Sequence, residues 1–421
     1  MFSNYAWPVG ALSHRRVMVS GGGARLVRLC VVCVAAIAVS FSAVPLAGAA
    51  SASRPQSDSA ASGAPARWVT QTAPAPPAAL NSVLASVSCT KGFCMAVGAT
   101  SIAGGKMTAL SERWNGVVWS IVTAAPNPTG TTGTELRSVS CTSATACIAV
   151  GDAVLAKSGT AAIAESYNGT RWTPMTNPLP KGSSGTVLRG VSCVSAAACM
   201  AVGTAASSVS AGQSLAEWWN GAKWTSLALL EHPAGMIGSG LLAVSCVSKS
   251  FCVVAGISLK IPTGTAPMLA SWNGKAWSVP LAPDTSSKSS GSMNGVSCRS
   301  IRACTAVGSL RTSWLIERWN GRTWVVQTAT APPGSHGMSL NGVSCTTTTQ
   351  CTAVGTNVKA AGSATLAAVW NGAKWVVQVT TNPGGSGNAL LGLSCSAPAA
   401  CTAVGGKTSG ATTAPLAERY G

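Results

Sequence analysis

Apolar and small residues in this chain recur in short alternating segments rather than in one long block. From residue 66 onward the same order returns: L-x-x-V-S-C, four or five residues, C-x-A-V-G, a variable stretch, L-A-E-x-W-N-G-x-x-W, then a passage rich in Pro, Gly and Ser. The first cysteine of each copy falls at 89, 141, 193, 246, 298, 345 and 395, so the step is 47 to 53 residues. Short Val-rich segments bounded by turn residues read as β-strands. The Asn-Gly between the two halves of L-A-E-x-W-N-G-x-x-W predicts a tight type I′ hairpin, with both residues at positive φ. Each copy therefore supplies four strands, named a, b, c and d in order. A period near fifty with several short strands per copy is the signature of propeller blades.

Two incomplete copies sharpen this expectation. LAERYG at 416–421 supplies strand c without strand d, whereas ARWVTQTAPAPP from Ala66 matches TWVVQTATAPP at 323–333 and supplies strand d alone. One fragment completes the other and leaves no exposed seam. The expected fold is an all-β, seven-bladed β-propeller of four-stranded antiparallel blades over residues 66–421, its last blade closed by the N-terminal strand.

The first fifty residues break the pattern. Arg15, Arg16, Arg25 and Arg28 precede an apolar run from Leu29 to Ala50 that ends in small residues, with A-x-A at Ala47 to Ala49. This describes a secretory signal peptide over 1–49, followed by a flexible linker over 50–65. The run is also long enough for an uncleaved anchor. No later apolar run approaches a membrane span, although mean hydropathy is +0.33 and only 9% of residues are charged. A secreted, extracellular or envelope-associated protein, monomeric, is expected.

Beyond residue 49 lie 14 cysteines, an even number in an exported chain, which favours disulfides. Each pair closes an a–b hairpin: Cys89–Cys94, Cys141–Cys147, Cys193–Cys199, Cys246–Cys252, Cys298–Cys304, Cys345–Cys351 and Cys395–Cys401. So short a loop is worth about 2 kcal/mol per blade in the chain-entropy model. Metal binding fails on count, because four-cysteine sites would pair hairpins and seven is odd. No metal and no cofactor is expected. Glu112, Glu165, Glu217, Glu317 and Glu418 repeat in strand c. They read as structural, pairing with a neighbouring Arg or capping backbone. The tryptophans of the c–d hairpins read as filling between blades, while Trp218 and Trp314 stand outside the pattern and are candidates for exposed contacts.

N-G-x-x-W at the c–d turn resembles a degenerate Asp-box, the S-x-D-x-G-x-x-W turn of sialidase-type propellers, with Asn where Asp would stand; the overall repeat is also kelch-like. That resemblance implies a structural turn remote from any active site. The whole repeat also resembles secreted repeat proteins of high-GC Gram-positive (actinobacterial) species, which implies fold and compartment rather than activity.

In a propeller the a–b and c–d turns share one face and the b–c and d–a loops the other. The second face carries the variation, where recognition usually resides. Its cations Lys106, Lys157, Lys181, Lys260, Lys288, Arg311, Lys359 and Lys407 outnumber Glu135, Asp152, Glu231 and Asp284. Of these, Lys106, Lys157, Lys260, Arg311, Lys359 and Lys407, with His232 and Trp314, are the candidate ligand-binding residues. The expected function is a non-catalytic binding or scaffold module for an anionic cell-wall polymer, a glycan or a protein partner. Nucleic acid is disfavoured, since cations are sparse and not interleaved with aromatics. The rival reading is a sialidase-like glycoside hydrolase or a lectin with a pocket on the same face. The best leftover catalytic set is Glu231, His232 and Asp284, and no catalytic residue is assigned.

Overall fold

The computed structural model describes residues 66–421, apart from 179, 181–182, 208–211, 229, 261–263 and 279–289. The signal-peptide and linker expectations for 1–65 lie outside the described residues. Every regular element among those described is a strand. The fifth copy shows the repeating unit: Gly291–Ser300, Ala303–Leu310, Ser313–Trp319 and Trp324–Val326 pair in that order, each antiparallel to the last. In the fourth copy the described residues form three strands and a bridge between Trp272 and Trp277.

The innermost strand of each unit packs against the innermost strands of its two neighbours, and Ala79–Thr90 of the first packs against Gly387–Ala397 of the last. Trp68–Gln71 runs antiparallel to Thr412–Tyr420, with Trp68 opposite Tyr420 and Gln71 opposite Ala417. The sheets thus stand radially around a closed ring, a β-propeller. Its hydrophobic cores lie between sheets rather than within one. Met95, Val97, Leu136 and Ala149 share one such cluster, and Val307, Ile316, Leu340 and Ala353 share another.

The serine of V-S-C has a role that the repeat alone does not disclose. The Cys141 amide donates to Ser88 Oγ (2.9 Å), Cys193 to Ser140 (3.0 Å), Cys246 to Ser192 (2.9 Å) and Cys298 to Ser245 (2.9 Å). Cys345 donates to Ser297 (3.0 Å), Cys395 to Ser344 (3.0 Å), and Cys89 returns to Ser394 (2.9 Å). Each bond ties one inner strand to the next, and the last ties the end of the ring to its start. The cysteine side chains meanwhile bond within their own hairpins, in the seven pairs named above.

The glycine of C-x-A-V-G answers to a β-bulge in strand a. Pairing slips by one residue at Leu84/Ser86, Leu188/Gly190 and Met293/Gly295, and likewise in the other units. The bulge presses strand a onto strand b. A Cβ on Gly203 would stand 1.8 Å from Val187 O, and one on Gly308 would stand 1.9 Å from Ser292 O.

The c–d turn differs from the type I′ expectation. Trp114 faces Trp119 across the hairpin, so four residues turn rather than two. Gly116, Gly221 and Gly321 have φ of 102°, 95° and 95°, but the preceding Asn residues keep negative φ. Instead Asn115 Oδ1 accepts from the amides of Val117 and Val118, both at 3.0 Å, and Asn320 Oδ1 does the same for Arg322 and Thr323, both at 2.9 Å. The Asn side chain holds the turn by capping its amides.

The strand-c glutamates are buried, and none makes an ion pair among the described residues. Two reach the d–a loop of the preceding unit: Ala125 N donates to Glu165 Oε2 (3.4 Å), and Asn177 Nδ2 donates to Glu217 Oε2 (2.7 Å). The Arg beside Glu on strand c goes elsewhere. Arg318 lies over Trp370 of the next unit at 4.3 Å, and Arg419 over Trp114 at 3.6 Å, again across the ring closure. Burial raises the carboxyl of Glu112 to about 8, and those of Glu165, Glu217 and Glu317 to about 7.

Ser245→Ala strands the Cys298 amide and lowers unfolding free energy by about 1–3 kcal/mol, and Gly308→Ala costs at least about as much through overpacking; denaturant melts check both. For the glutamates, the folded form holds protons that an unfolded carboxyl, titrating near 4.5, releases. Their contribution is therefore complete below that value and is lost as pH rises toward the folded values of about 7 to 8. The melting temperature should fall across this window, and the Glu112→Gln, Glu317→Gln double variant should show a shallower fall.

Candidate functional site

The b–c connections bring the candidate cations to one face. Lys106, Lys157, Arg311 and Lys359 are exposed there, and Lys260 and Lys407 are half-buried at strand ends. They come from six of the seven sequence copies, so they are spread along the face rather than gathered in a pocket. Arg311 sits in the left-handed region (φ 56°), which turns the tight b–c hairpin between Ala303–Leu310 and Ser313–Trp319. A depression of about 290 Å³ on this face lies where the d–a loop at Pro383 and Gly384 meets the b–c hairpin of the next unit. Lys407, Thr408, Ser409 and Thr412 line it. One ammonium, three hydroxyls and exposed loop backbone suit a polar, hydroxyl-rich or anionic ligand.

Other candidates are placed less favourably. His232 and Glu231 are both exposed, with His232 Nδ1 3.4 Å from Pro233 O. Their suggested partner Asp284 lies outside the described residues, as do Lys181 and Lys288. Trp314 is half-buried, its ring packed on the cluster of Val307, Ile316 and Leu340 between two units. Trp218 packs similarly against the cluster of Met200, Leu241 and Met268. Both have the character of interblade filling more than of open platforms.

Glu135 and Asp152 are not loop residues. They face each other across strands Thr131–Ser143 and Ala146–Leu155, buried, and Arg137 forms ion pairs with both. Arg137 is the extra residue of the strand-a bulge, and Arg189 is its counterpart in the next unit. Burial dominates here. It raises the Glu135 carboxyl to about 8, against the opposing pull of Arg137, and lowers Arg189 to about 10. The bulge position reads Ala85, Arg137, Arg189, Leu242, Asn294, Asn341 and Leu391 around the ring. This charged network therefore interrupts an otherwise repeated interface at one place. An irregular residue at a position that is uniform or neutral in other copies was the available signal, and the bulge that displaces it is not visible in the pattern.

The described acids divide sharply. Glu112, Glu135, Asp152, Glu165, Glu217, Glu317 and Glu418 are all buried. Glu231 is the one exposed acid among the described residues.

No family model matches the chain, and no curated protein does. Solved structures match over most of its length. The YCF48 protein from Cyanidioschyzon merolae is 12% identical over 84% of this chain and 98% of its own, with a TM-score of 0.50. A PL25 polysaccharide lyase, an ulvan lyase, is 7% identical over 80% of this chain and 94% of its own, with a TM-score of 0.52. The six-bladed β-propeller lectin of Aleuria aurantia is 12% identical over 73% and 99%, with a TM-score of 0.45. At such identities the likeness is one of fold: this chain is similar to repeat β-propellers.

Proposed function

We propose that this chain is a secreted, seven-bladed, non-catalytic binding propeller of the cell envelope, which takes an acidic glycan or anionic polymer on its b–c and d–a face. The observation that carries the reading is the set of cations Lys106, Lys157, Lys260, Arg311, Lys359 and Lys407 on a surface whose one described exposed acid is Glu231. Such a one-signed surface attracts polyanions and repels cationic partners. The seven strand groups and the return of Trp68–Gln71 onto Thr412–Tyr420 support the blade number. The disulfides support an oxidising compartment. Burial of the strand carboxylates supports a binding rather than a hydrolytic role, because a general acid must reach its substrate.

A second reading, glycan cleavage, draws on Glu231, the one exposed acid among the described residues. It requires depolymerisation of an acidic polysaccharide that Glu231→Gln abolishes.

The binding reading is tested with a panel of neutral and acidic polysaccharides at low salt. Acidic members should bind, added salt should release them, and Lys106→Glu, Lys157→Glu, Lys359→Glu together should weaken binding by about tenfold or more. Equal retention of neutral and acidic members, or an unchanged triple variant, would falsify the assignment of this face.

A further inference from the structure

The opposite face, built from the a–b and c–d turns, is as cationic as the variable one and carries no acid among its described residues. Its regularity comes from the repeat motif itself. In N-G-x-x-W, five consecutive c–d turns place one cation at the tip: Arg171, Lys223, Lys275, Arg322 and Lys374, all exposed. The a–b turns add Lys91, Lys249 and Arg302, also exposed. Asn Oδ1 fixes each c–d tip by capping two amides, as at Asn220 and Asn371, where all four bonds are 2.9–3.0 Å. These cations therefore stand on held backbone around one end of a rigid ring, Arg171, Lys223 and Lys374 at the fourth position of their turns and Lys275 and Arg322 at the third. Spread over separate units, they are arranged to meet an extended anionic plane rather than to enclose a small anion.

Two further observations indicate which plane. The turn of the first unit replaces the cation with Val117 and Val118, which are 78% and 55% exposed, and Ile301 on an a–b turn is 55% exposed. Aliphatic tips among cations suit the boundary between headgroups and acyl chains. The chain also enters the ring here. The Arg67 amide and Gly421 carbonyl meet at 3.4 Å at the split c–d turn, and the apolar run Leu29–Ala50 lies upstream of residue 66. A chain still attached to that run presents this face, not the b–c face, to the bilayer.

We infer that the a–b/c–d face is a docking surface for an anionic lipid bilayer, separate from the ligand face proposed above. Each basic residue near such a surface is worth about fivefold in affinity.

The experiment is co-flotation of the full chain with phosphatidylcholine vesicles, with and without phosphatidylglycerol. Reversing three turn lysines (Lys223→Glu, Lys275→Glu, Lys374→Glu) is compared with the charge-matched b–c triple Lys106→Glu, Lys157→Glu, Lys359→Glu. Thermal melts confirm that both remain folded. The turn triple should lose about a hundredfold or more in affinity for anionic vesicles, keep its background on neutral vesicles, and still bind acidic polysaccharide. The b–c triple should show the reverse. Equal losses on vesicles from both triples, or no preference for phosphatidylglycerol, would overturn the inference. So would a turn triple that loses binding to soluble polyphosphate but not to vesicles, which would assign the face to a linear polymer. Loss of polysaccharide binding alone bears on the ligand face and leaves this one standing.

Discussion

One hydrogen bond, repeated, holds the ring together: the cysteine amide of each unit donates to the serine hydroxyl of the unit before it. The inner strand of each unit packs on the inner strands of both neighbours, and this bond joins them. The cysteine contributes twice. Its backbone ties units to one another, and its sulfur ties its own hairpin shut. The adjacent bulge, and the glycine it requires on strand b, bring the two strands close at the same level of the ring.

What could be read from residues was whatever recurs and closes on itself. Cysteine pairs five or six apart, the N-G turns, and the complementary fragments ARW and RYG sufficed for the architecture, and Trp68 opposite Tyr420 is the joint they implied. What escaped was whatever recurs but has its partner in the next copy. Ser88, Glu165 and Arg318 look alike from unit to unit whether they face solvent, their own sheet or a neighbour, and only packing separates these cases. Glu135 and Asp152 were misplaced for another reason. The polar residues before Leu136 and after Gly151 read as loop, yet strands Thr131–Ser143 and Ala146–Leu155 include them and bury both acids. On the functional side, attention to variability favoured the b–c loops. The lysines and arginines of the N-G turns were hidden by belonging to a scaffold motif.

Charge is partitioned by depth. Described carboxylates are inside, with Glu231 as the exception, and exposed Lys and Arg occupy both ends of the ring. The buried glutamates are tolerable because they can remain protonated, so they add hydrogen-bonding capacity without adding charge to the core. The two faces differ in shape, an uneven one with a depression at Lys407 and one of capped turns, and the two proposals above assign them different anionic partners.

The joint between Trp68–Gln71 and Thr412–Tyr420 has a topological meaning as well. The propeller is a circle cut once, inside a c–d turn, and an equivalent turn occurs in other units. A circular permutant that links 421 to 66 and opens at Asn220 or Asn320 would have the same pairings and the same closed serine–cysteine series. Position along the chain is then arbitrary with respect to the ring, and the cut at residue 66 determines one thing only: which end of the ring the upstream segment hangs from.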